Sequence, residues 1–112
     1  MIHAMGLRPG PFAAVASRRK TVELRLYDKK RARIAVGDVI VFSAADTGRT
    51  VRARVAGLER FPSFEELYRH FSPSELGYLP GEAASPADML QYYSPDEIAR
   101  YGVVGIIIEA EL

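Results

Sequence analysis

Lys20, Glu23 and Arg25 are the residues whose types and spacing lend themselves to chemistry. They lie in the run from Ser17 to Arg25, where five of nine residues are charged and four of those are basic. Residues 21–25 alternate with the period of a half-buried strand: Val22 and Leu24 turn one way, Thr21, Glu23 and Arg25 the other. On such a strand Glu23 and Arg25 stand roughly 7 Å apart on one face, near enough to pair or to share a ligand. Arginine offers a planar two-pronged contact to a phosphate or base edge, and lysine a movable point charge. Glutamate accepts hydrogen bonds from an exocyclic amine or acts as a general base. Facing only water, the same residues form an ordinary ion pair worth at most ~1 kcal/mol. Lys20 shares the strand parity of Val22, so only its place at the strand's start frees it to turn toward Glu23.

Two further groups belong with this set. Glu75 is a carboxylate that a neighbouring lysine can poise for acid–base work; as the fourth residue of Ser72-Pro-Ser-Glu it is equally a helix cap. Tyr92 and Tyr93 can stack on a base or seal one end of the fold. His3 and His70 are isolated, no metal-ligand spacing surrounds them, and no metal or cofactor is expected. Walker, dinucleotide-binding, HExxH and GxSxG motifs are absent.

The elements that must position these residues read as follows. Residues 2–7 form a short strand, and Gly10-Pro11 opens a small helix over 12–17 with Phe12, Val15 and Ala13 as its apolar stripe. The charged strand comes next, then a basic loop or single helical turn from Tyr27 to Arg33. Val36-Gly37-Asp38 is a turn with Gly37 at positive φ. It launches a strand over 39–43, too apolar on both faces for an exposed edge. A hairpin at 45–49 returns as a strand over 50–58, with Val51, Ala53, Val55 and Gly57 inward and Arg52 and Arg54 outward. Ser63, Ser72, Ser85 and Ser94 each precede an acid by three residues, so four short capped helices are predicted. After Gly102, residues 103–108 form a buried strand in which Gly105 marks a bulge or a close approach; 109–112 resume the alternation. The order implies an α+β fold, a mixed β-barrel of five to six strands with short helices packed at one side.

A chain of 112 residues that is 48% hydrophobic and 26% charged suits one globular domain spanning 1–112. Without cysteine there is no disulfide framework or thiol nucleophile, and no apolar run has the ~18 to 20 residues of a membrane span. With no signal-peptide pattern at the N-terminus, the expected location is cytoplasmic. The net charge of +1 conceals an asymmetry: +8 over residues 1–54 and −7 over 55–112. The basic half is either a footprint for phosphates or is neutralised by the acidic half in the fold.

Ser17 to Arg25 resembles the Gly-x-Lys-x-x-Glu-x-Arg signature of the ASCH (activating-signal-cointegrator homology) family, with Arg18 where the signature opens on Gly. Leu7 to Phe12, the Gly37-Asp38 strand start, Phe64-Glu-Glu-Leu and Tyr92 to Ile106 resemble further landmarks of its small stand-alone bacterial and archaeal members. The resemblance implies a barrel of the pseudouridine-synthase and archaeosine-transglycosylase (PUA) type, with Lys20, Glu23 and Arg25 on the floor of a cleft. It implies binding of RNA or a modified nucleoside or nucleotide by Lys20, Glu23, Arg25 and Tyr93, with Glu23 accepting from a base amine. The alternative it implies is an amidohydrolase that deacylates N4-acetylcytidine, with Lys20 and Glu75 catalytic, or a ribonuclease. That hydrolase subgroup carries Thr where Glu23 stands. No membrane partner and no DNA-reading motif are expected, and the sequence leaves the oligomeric state and the particular RNA or nucleoside open.

Overall fold

The computed structural model describes residues 1–111; Leu112, included in the alternation of the last strand, lies outside the described residues. Strand β1 (Ile2–Leu7) leads into helix α1 (Pro9–Ala16), which starts earlier than expected because Pro9 takes the first-turn position. Phe12, Ala14 and Val15 are its buried side chains, and Ala13 faces out. Strand β2 (Val22–Leu26) follows, then a single 3₁₀ turn (Arg31–Arg33). Strands β3 (Val39–Ala44) and β4 (Thr50–Phe61) form a hairpin, with Gly37 at φ 95° before it and Gly48 at φ 72° within its turn. Asp38 anchors this corner. The His3 imidazole and the Ala35 amide hold its carboxyl at about 2, below the ordinary 3.8.

Of the four predicted capped helices, three form helical structure. Ser63 caps α2 (Phe64–His70), Ser85 caps a 3₁₀ helix (Pro86–Gln91), and Ser94 closes a full capping box on α3 (Pro95–Tyr101). The Ser72 box forms as well, but encloses only a turn ending at Gly77, whose φ of 99° stops helical propagation. Strand β5 (Val103–Ala110) completes the chain.

These strands make one five-stranded sheet in the order β1-β3-β4-β5-β2, parallel between β1 and β3 and antiparallel elsewhere. It curls into a half-barrel, the PUA-like α+β arrangement expected. The concave side encloses a core of Met5, Phe12, Ile40, Phe42, Val55 and Ile106 among others. Helix α2 and the turn after it pack on the far face of β2 and β5, where Val22, Leu24, Phe64, Leu67 and Phe71 form a second core. A register shift between Val55 and Gly57 bends β4. Gly57 therefore faces Ile107 rather than joining Val55 inward, a reversal of parity that alternation alone cannot show. Gly105 is a site of close approach: a Cβ there would stand 2.7 Å from the Phe71 ring.

Candidate functional site

The sheet order leaves β1 and β2 as its two edges, and the site occupies the seam between them. No strand ladder among the described residues closes this seam. Instead Arg25 on β2 reaches across, its Nη2 donating to the Gly6 carbonyl of β1 at 3.1 Å. A cleft of about 460 Å³ opens along the seam, with Gly6, Arg8, Lys20, Glu23 and Arg25 on the barrel side. Tyr68, Gly77, Tyr78, Asp88, Tyr92 and Tyr93 form the opposite wall.

Glu23 is the hub. It is only 2% exposed, because its face of β2 turns into the barrel mouth rather than into water. Lys20 Nζ lies 2.8 Å from its Oε1, while Arg25 Nε and Nη2 lie 2.9 and 2.8 Å from its Oε2. Burial pushes the Glu23 carboxyl up, but the charges of Lys20 and Arg25 and their hydrogen bonds more than reverse this, leaving it below its ordinary value. Arg25 shows the mirror-image balance: burial opposes its proton, and Glu23, aided by the Tyr93 phenol, holds it more firmly than usual. The trio is two cations around one anion, with a surplus positive charge where little water reaches. That surplus favours an anionic or strongly polarised group entering the cleft.

Both oxygens of Glu23 are held by cations, so the carboxylate aims Lys20 and Arg25. Lys20 is 8% exposed and turned to Glu23, despite its unfavourable strand parity. The turn at 72–77 brings it there. The Glu75 carbonyl accepts from the Thr21 and Val22 amides at 3.0 Å, Arg19 donates to the Gly77 carbonyl at 2.7 Å, and Gly77 packs on the Lys20 stem. The Glu75 carboxylate is exposed, accepts from the Ser72 amide at 2.8 Å as a turn cap, and is not among the residues that line the cleft.

Tyr93 lines the cleft beside Arg25, its ring stacked on Phe64 at 6.1 Å between centroids. Burial raises its phenol pKa against the opposing charges of Arg25 and Arg31, so the hydroxyl stays protonated. Tyr92 is 43% exposed and sits under the Arg8 guanidinium, 4.7 Å from its ring centre. The cleft also holds a polar trio not foreseen: Tyr78 donates to Asp88 at 2.7 Å, and its oxygen lies 2.8 Å from that of Tyr68. Burial, then the bond to Asp88, raises the Tyr78 pKa strongly. No local pattern links these three, since they come from α2, a turn and a 3₁₀ helix that meet only in the folded chain. His3 is bound to Asp38 and His70 to Glu59, both away from the cleft.

The family model described as the ASCH domain matches residues 5–110. The chain belongs to the ASCH-domain family. Its signature glycine has a structural reason here: Arg18 follows the end of α1 at φ 65°, the left-handed position where helices favour glycine. The crystal structure of hypothetical protein PH0355 aligns with a TM-score of 0.84 at 31% identity, covering 99% of this ASCH domain and all of that chain (100%). The solution NMR structure of protein PF0455 from Pyrococcus furiosus aligns at 0.72 and 33% identity, covering 98% and 97% of the two chains. ASCH from Zymomonas mobilis shares the fold at 0.65 and 18% identity, over 96% of this chain and 66% of that one. No curated protein matches the sequence.

Proposed function

We propose that this ASCH domain binds RNA, or a nucleoside or nucleotide derived from it, in the cleft along β2. The observation that carries this reading is the buried Lys20–Glu23–Arg25 trio, a net cation at the foot of a cleft walled by tyrosines. Lys20 and Arg25 meet phosphate or carbonyl oxygens, Glu23 fixes both, and Tyr93 with Tyr92 supplies flat surface for a base. The cleft's volume lies within the ~300 to 1,000 Å³ of small-ligand sites. The alternative, hydrolysis of N4-acetylcytidine, needs a free proton acceptor beside Lys20. Glu23 is held by two cations and Glu75 lies outside the cleft, so the geometry favours binding.

Titration of labelled single-stranded RNA at several salt concentrations tests this. Affinity is expected to fall with salt, with a log–log slope of about −0.7 per phosphate contacted. Lys20→Met and Arg25→Gln, checked for folding by circular dichroism, are each expected to weaken binding about tenfold, the loss of one charged hydrogen bond. A flat salt response refutes binding through phosphates, and unchanged affinity in both folded variants refutes the reading. Release of cytidine from N4-acetylcytidine above a Lys20→Met control would replace it with the hydrolase.

A further inference from the structure

The cations outside the cleft are arranged as deliberately as those within it. Between Arg18 and Arg33 there are eight basic residues and two acids, a net +6, so the remainder of this +1 chain carries −5. Both acids are satisfied internally: Glu23 by Lys20 and Arg25, Asp28 by Arg31 at 2.8 Å. Arg18, Lys29, Lys30 and Arg33 are exposed and have no ion-pair partner among the described residues. Of the three basic residues of β4, Arg52 and Arg54 pair with Glu111 and Glu109 across the sheet, and Arg60 lies over the Tyr27 ring. Arg49, Arg69 and Arg100 are also exposed without an ion-pair partner among the described residues, but they lie singly in the chain, whereas Arg18, Lys29, Lys30 and Arg33 flank β2.

Both ends adjoin the cleft. At the first, Arg18 precedes Arg19, which lines the cleft and bonds Gly77. At the other, Arg25 lines the cleft one residue before β2 ends, and the charge of Arg31 acts on Tyr93 of the cleft wall. Arg18 also holds a left-handed conformation that suits glycine, and no hydrogen bond or ion pair among the described residues uses its guanidinium. Between the two clusters, the five residues of β2 span roughly 17 Å. A fully stacked strand advances ~3.4 Å per phosphate and an unstacked one further, so this distance takes at most about five nucleotides.

We infer that the ligand is a single strand of nucleic acid that runs along β2, places one base in the cleft and continues over Arg18 at one end and Lys29, Lys30 and Arg33 at the other. This rests on the cleft reading above and adds the ligand's length, its path and four contact residues outside the cleft. The strand must be single, because a base reaches the tyrosine wall only when it is unpaired and unstacked.

The test compares a mononucleotide, a single-stranded RNA hexamer, its DNA counterpart, a hairpin duplex and a hexaglutamate peptide on two proteins, the wild type and Arg18→Gly/Lys29→Ser/Lys30→Ser. Glycine suits the backbone at position 18 and the two serines replace exposed side chains, so the variant is expected to melt no lower than the wild type. The wild type is expected to bind the hexamer at least tenfold more tightly than the mononucleotide and the hairpin. The variant is expected to lose that tenfold and reduce the salt slope by about 2, that is ~0.7 for each of three phosphate contacts, while binding the mononucleotide unchanged. A preference for the RNA hexamer over DNA would assign the strand to RNA, and equal binding to either; both support the path. Equal binding of the hexamer by variant and wild type, or of hexaglutamate and hexamer by wild type, overturns it while leaving the cleft reading intact. Failure of every nucleic acid to bind wild type removes the cleft reading and this inference together.

Discussion

Glu23 is a carboxylate withdrawn from water and surrounded by donors, and its energetics follow from that. Removing its charge strands Lys20 and Arg25 in a buried site, so Glu23→Gln is expected to cost about 3 kcal/mol, measured by urea denaturation at neutral pH. Because its pKa is lower folded than unfolded, its contribution is complete above about 4.5 and is lost as pH falls through the depressed folded value. Glu23→Gln should therefore flatten the acid limb of the stability curve below pH 4.5; an unchanged limb would show that the clamp carries no charge-dependent stability. Arg18 gives the opposite expectation. Relieving a left-handed arginine should make Arg18→Gly about 1 kcal/mol more stable, read as a rise in melting temperature. Residue types were legible in the sequence here, since Lys20, Glu23, Arg25 and Tyr93 do share one cleft. The place of Glu75 on a turn outside the cleft was not, because a capping carboxylate and a catalytic one look alike until the fold shows which group each faces. Nor was the burial of Glu23, because alternation gives the face of a strand but not what covers it.

At the scale of elements, β2 is an edge strand held at its start by the turn at 72–77 and bridged to β1 by a side chain. Gly77→Ala would force a Cβ to 3.0 Å from Lys20 Cδ at a φ of 99°. It is expected to loosen Lys20 from Glu23 and weaken RNA binding about tenfold with no cationic residue removed, an effect measurable by the same titration. Gly105→Ala tests the opposite side of the strand pair. A methyl group 2.7 Å from the Phe71 ring overpacks the second core, and a loss of about 2 kcal/mol is expected by denaturation, with binding intact in the folded fraction. Strand existence, hairpin turns and caps were readable because each depends on neighbours in sequence. The bulge in β4 and the helix that failed after Ser72 were not, because pairing with β5 and the demands of Lys20 packing decide them.

Over the whole molecule, the charge asymmetry read from the two halves resolves into two behaviours. On β4 and β5 the opposite charges pair across the sheet, as the neutralisation reading expected. At the ends of β2 the exposed cations Arg18, Lys29, Lys30 and Arg33 have no such partner among the described residues, on a molecule 34 × 34 × 24 Å in extent whose residues outside 18–33 carry a net −5. Such a field steers polyanions to one face and accelerates their association at low salt. No helix among the described residues is long and apolar enough to cross a membrane. RNA engagement of the seam between β1 and β2 is read out by an amide NMR titration with a single-stranded RNA hexamer. Shifts are expected to concentrate at residues 18–30, at Gly77 and at Tyr92 and Tyr93, and to shrink as salt is added. Shifts confined to the outer face of β3 and β4, or none at saturating RNA, would contradict the account.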